Sequence, residues 1–74
     1  MAESRDVRPR EAIAAFERAG GLTRKGGKGD HVNIKMPNGR IITFSGRRDP
    51  MKIGLLKAML RKAELTEQEF LRLL

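Results

Sequence analysis

The stretch His31-Val32-Asn33-Ile34-Lys35-Met36-Pro37-Asn38-Gly39-Arg40-Ile41-Ile42-Thr43-Phe44-Ser45 decides the fold of this chain. Val32, Ile34 and Met36 alternate with His31, Asn33 and Lys35, the period of two that marks a strand with one buried face. Pro37-Asn38-Gly39 then interrupts the run. Proline suits position i+1 of a type I turn, asparagine suits i+2, and glycine takes the left-handed position that follows. Two registers are open. A two-residue Asn-Gly loop would put Ile42 and Phe44 on the face of His31. A three-residue loop sets Met36 opposite Arg40, Ile34 opposite Ile42 and Val32 opposite Phe44. The second is preferred, because it gathers the bulky apolar residues, Ile41 excepted, on one face. His31, Asn33, Lys35, Thr43 and Ser45 then share the other face, which is polar and cationic.

Working outward, Leu22-Thr23-Arg24-Lys25 reads as a weak first strand, joined to the hairpin through the glycine-rich turn Gly26 to Gly29. Before it, Pro9 fits the first turn of a helix, where its missing N–H costs nothing. Ala12, Ile13, Phe16 and Ala19 follow at helical spacing, and Gly20-Gly21 supplies the left-handed end. After the hairpin comes a basic loop, Gly46-Arg47-Arg48-Asp49-Pro50. A second helix carries the stripe Ile53, Leu56, Met59, Leu60 and Ala63. Its start has two readings: Asp49-Pro50 caps it, or Gly54 marks its first turn after an extended Met51-Lys52-Ile53. Thr66 and Glu69 have capping-box spacing for a third helix, and Leu65 and Phe70 have staple spacing.

The expected order is thus α-β-β-β-α-α. Residues 1–8 are expected to be a disordered lead-in and residues 9–74 a single α+β domain. Val32, Ile34, Ile42 and Phe44 are expected to lie under Ile13, Phe16, Leu56 and Leu60.

Seventy-four residues allow one small domain with a thin core, since a chain this short buries only about 60% of its unfolded surface. There is no cysteine, so disulfides and thiolate metal sites are excluded. One histidine without a carboxylate cluster gives no reason to expect a metal or another cofactor. No apolar run approaches the ~20 residues needed to cross a bilayer. Residues 1–10 lack the apolar core of a signal peptide, so a soluble, cytoplasmic protein is expected.

The formal net charge is +7, and its distribution matters more than its total. From Arg24 to Lys62 there are eleven Lys/Arg against only Asp30 and Asp49, a surplus of nine, while the remaining residues sum to −2. A concentrated positive middle attracts nucleic acid or an acidic protein. With three Phe and no Tyr or Trp, base stacking is not expected to dominate.

His31 is the only histidine. Histidine exchanges protons near neutral pH, so on a positive surface it could do acid–base chemistry on a phosphodiester. It could equally be an ordinary exposed histidine. The glycine-rich turn lacks the pattern of a P-loop and opens no helix.

Taken together, the motifs resemble a family. A helix is followed by Gly20-Gly21-Leu22, then Lys28-Gly29-Asp30-His31, then the Pro37-Asn38-Gly39 hairpin. Next come Met51-Lys52-Ile53-Gly54-Leu55-Leu56-Lys57-Ala58-Met59-Leu60 and Ala63-Glu64-Leu65-Thr66. This order resembles the HicA (YcfA-like) toxins, small mRNA interferases paired with HicB antitoxins. The family's Gly-Ser-His reads Gly29-Asp30-His31 here, and its later Pro-x-His element is replaced near Ser45-Gly46-Arg47-Arg48.

The resemblance implies a double-stranded-RNA-binding-like fold, with helices on one face of a three-stranded sheet. It implies His31 as the catalytic histidine, mRNA as substrate and an acidic HicB-like antitoxin as partner. Lys25, Lys28, Lys35, Arg47 and Arg48 are then the candidate RNA contacts. A non-catalytic RNA-binding module and a basic protein-interaction domain remain the alternatives.

Overall fold

The computed structural model describes residues 6–25, 31–44 and 50–74. Along the chain run β1 (Asp6–Val7), α1 (Pro9–Arg18), β2 (Leu22–Lys25), β3 (Val32–Lys35), β4 (Ile41–Phe44) and β5 (Met51–Lys52). A 3-10 turn (Ile53–Leu56), α2 (Lys57–Ala63) and α3 (Glu67–Leu73) follow. Strands β2, β3 and β4 form one antiparallel sheet in that order.

The hairpin has the three-residue loop. Met36 N–H donates to the Arg40 carbonyl and Gly39 N–H to the Met36 carbonyl, both at 2.8 Å. Gly39 has φ +86°, a conformation that glycine adopts without a Cβ penalty. Val32 pairs with Phe44 and Ile34 with Ile42. Ile34, Ile42 and Phe44 are buried, and Val32 is half-buried against them.

Helices α1 and α2 pack on that apolar face, and α3 packs against them. Phe16 of α1 sits centrally, its ring centroid 6.1 Å from that of Phe44 and 5.2 Å from that of Phe70. Ile53, Leu56 and Leu60 belong to the same core. Ile13 is only half-buried, and Ala15, which lay outside the expected stripe, is fully buried. The helix is rotated so that Ala12, Ala15 and Phe16 face inward.

Helix α1 ends in a paired set of bonds. Gly20 N–H donates to Glu17 and Gly21 N–H to Phe16, each at 2.9 Å, with Gly20 at φ +103°. This is the Schellman arrangement. Helix α2 ends in the same way, with Glu64 N–H on Arg61 and Leu65 N–H on Leu60. Here the left-handed residue is Glu64, at φ 59°. Helix α3 opens on a capping box: Glu69 N–H donates to Thr66 Oγ1 at 3.1 Å and Thr66 N–H to Glu69 Oε1 at 2.9 Å.

Two further features differ from the sequence reading. Val7, assigned there to the lead-in, is fully buried and pairs with Met51, while Asp6 pairs with Lys52. The sequence carries only one apolar residue at this point, too little for a periodic signal. The second helix takes neither of its two starts unchanged. Met51 and Lys52 are extended, as the later start requires, but Ile53 already belongs to the 3-10 turn.

Candidate functional site

Among the described residues, helices cover one face of the sheet and nothing packs on the other. Direct pairing places Leu22, Lys35 and Ile41 in one row across the bare face. Arg24, Asn33 and Thr43 form the next row. His31 immediately precedes β3, in phase with Asn33 and Lys35. His31, Arg24, Lys35 and Thr43 are exposed, and Asn33 is half-buried. Leu22 and Ile41 are 68% and 49% exposed, so one end of this face is apolar around a lysine.

Within the middle row, Thr43 Oγ1 donates to Asn33 Oδ1 at 2.9 Å. Neither Arg24 nor Lys35 has an acidic partner among the described residues. The alternate strand positions face the helices: Thr23 Oγ1 donates to Glu17 Oε2 of α1 at 2.6 Å. At the β4 edge, Lys62 Nζ donates to the Ile41 carbonyl at 3.3 Å, which occupies one cation of α2 with the sheet.

The sequence-derived candidates are distributed unevenly. His31 and Lys35 share the bare face. A strand rise of about 3.3 Å per residue sets them about 13 Å apart along the chain, too far to grip one phosphate between them at close range. Lys25 takes the strand position opposite Val32, out of step with Arg24 and Lys35. Lys28, Arg47 and Arg48 lie outside the described residues, as does Asp30.

Arg24 was not among the expected contacts, yet it stands diagonally from both His31 and Lys35. Diagonal neighbours on adjacent strands are about 7–8 Å apart, within reach of an arginine. The signal that finds it is the β2–β3 register, which the glycine-rich connection left open. No group of His, Cys, Asp and Glu that could hold a metal occurs among the described residues. No helix among them is long and apolar enough to cross a membrane.

These features define a class: a small basic α+β domain whose helices fill one sheet face and whose other face carries cations without an acidic partner among the described residues, and a single exposed histidine. Residues 9–65 match the family model described as the HicA toxin of bacterial toxin-antitoxin systems. The chain belongs to that toxin family, and an antitoxin partner goes with membership. No curated protein matches the chain.

Proposed function

We propose that this toxin is a metal-independent endoribonuclease that cleaves mRNA, with His31 as its acid–base group. The observation that carries the reading is the position of His31. It stands exposed at the start of the central strand, on the face the helices leave bare, with Arg24 on the neighbouring strand. Cleavage by this route joins the ribose 2′-oxygen to the adjacent phosphorus and breaks the bond from phosphorus to the 5′-oxygen. The 2′-hydroxyl gives up one proton and the departing 5′-oxygen takes one. His31 makes one of these transfers, and a lysine or water makes the other. Positioned proton transfer is typically worth ~10²–10⁴-fold. Arg24, diagonal to His31, offsets the charge growing on phosphate, and Lys35, with Lys25, Lys28, Arg47 and Arg48 from the same basic segment, holds the backbone further along.

An acidic HicB-like antitoxin is the partner, and it covers the face bearing His31. The +9 segment supplies the attraction. The exposed Leu22 and Ile41 supply apolar contact at the other end of the same face.

The test is cleavage of single-stranded RNA by the full chain, with and without EDTA. Cleavage is expected in both, and His31→Ala is expected to lower it at least about 100-fold while leaving RNA affinity little changed. Undiminished cleavage by His31→Ala overturns the catalytic assignment. Binding without cleavage by the unaltered chain makes the protein a non-catalytic RNA-binding module.

A further inference from the structure

Asn33 lies at the centre of the bare face, and its carboxamide is held from one side. Thr43, directly across on β4, donates its hydroxyl to Oδ1 at 2.9 Å. No protein acceptor for Nδ2 occurs among the described residues. A carboxamide is planar and carries its acceptor and its two donors on different atoms. Tying the oxygen toward β4 therefore turns the N–H groups away from β4, toward β2. Opposite Asn33 on that side stands Arg24, exposed and without an acidic partner among the described residues. A residue with a two-donor amide and one with a five-donor guanidinium are thus direct partners on strands about 5 Å apart.

We propose that Arg24 and Asn33 form a phosphodiester-oxygen site, with Thr43 as the positioning residue that aims Asn33. The site rests on the reading of this face as an RNA surface, and it names the residues that seat the backbone beside His31. Two residues of strand separate Asn33 from His31, about 7 Å. Phosphate is favoured over a base edge by the hydrogen bonding itself. Asparagine reads adenine by using its N–H and its C=O together. Here Thr43 takes up one of the oxygen's two lone pairs and holds it toward β4, so a strand lying on the β2 side meets the amide's donors first. Arginine suits the same ligand, because its planar fork matches phosphate oxygens.

The experiment titrates the full chain with 2′-O-methylated oligo-U and oligo-A strands, which cannot be cut through a free 2′-hydroxyl, over a range of salt. Asn33→Ala should weaken both strands about tenfold, the loss of a hydrogen bond to a charged group. Its salt slope should not change, because a neutral donor releases no counterion. Arg24→Ala should weaken both and reduce the slope by about 0.7.

Thr43→Val keeps the shape and the β-branching but removes the hydroxyl. It should weaken binding several-fold in the parent chain and have no effect once Asn33 is alanine. Three results overturn the site: unchanged affinity in Asn33→Ala, a loss confined to oligo-A, or independent and additive effects of Asn33 and Thr43. Because affinity is the readout, a chain that binds but never cleaves RNA sinks the ribonuclease reading alone. A chain that cleaves RNA yet binds normally as Asn33→Ala sinks this site alone.

Discussion

Gly21 occupies a place where a methyl group has no room. A Cβ there would lie 2.5 Å from Ile34 Cγ2, 2.9 Å from the Phe16 carbonyl oxygen and 3.0 Å from Met36 Sδ. Gly21→Ala is therefore expected to destabilise the protein by about 1–3 kcal/mol through overpacking, read as a lower midpoint in urea. Glu64 presents the opposite case. It is a non-glycine residue in the left-handed region, where a Cβ is penalised. Its carboxylate accepts an exposed bond from Asn38 Nδ2 at 3.1 Å, but that Nδ2 also donates to the Lys62 carbonyl at 2.8 Å. Glu64→Gly should thus gain about 0.5–1 kcal/mol, with the same measurement as its check. The sequence marked Gly20-Gly21 as a helix end. It could not show Gly21 pressed against Ile34, because that contact exists only once β3 is laid on α1. Arg24 was missed for a related reason: its face is set by pairing with Asn33, across a loop whose length fixes no register.

The elements that were legible are the ones whose determinants are local. Alternation and Pro37-Asn38-Gly39 together specify the hairpin and its face, and Thr66 with Glu69 specifies the start of α3. The β1–β5 pair was not legible, because two residues near one end meet two residues some 45 positions away. Helix α3 is only seven residues long, too short to be stable alone. Its cap and its docking must hold it. Thr66→Ala should cost about 1 kcal/mol, seen as a lower melting temperature with the native fold retained. Phe16 is fully buried between two rings, so Phe16→Ala should cost about 3–5 kcal/mol. A domain of this size is stable by only about 4–11 kcal/mol. A cooperative melting transition of undiminished temperature in Phe16→Ala would show that the ring is not central to the core.

Across the whole molecule, positive charge is concentrated in the segment from Arg24 to Lys62, which contributes the sheet, its bare face and α2. Association with the acidic antitoxin proposed above should accordingly be steered by charge, with an on-rate that falls as salt rises. Stopped-flow mixing at several ionic strengths measures this, and an on-rate independent of salt would exclude electrostatic steering. Asp6 and Lys52 pair at 3.0 Å but are each 59% exposed, so they add little to stability. The burial of Val7 against the core is what holds β1.

The ring of Phe16 rests on the ring of Phe70, and the two are made at different times. Residue 16 emerges from the ribosome early, residue 70 after the whole sheet has been translated. At about 5–20 residues per second, the interval between them is a matter of seconds. Through that interval α1 lacks one side of its packing, and the strands have no finished core to fold onto. The toxin is assembled only after Phe70 clears the ribosome. An antitoxin partner therefore meets a folded toxin only once α3 has docked against α1.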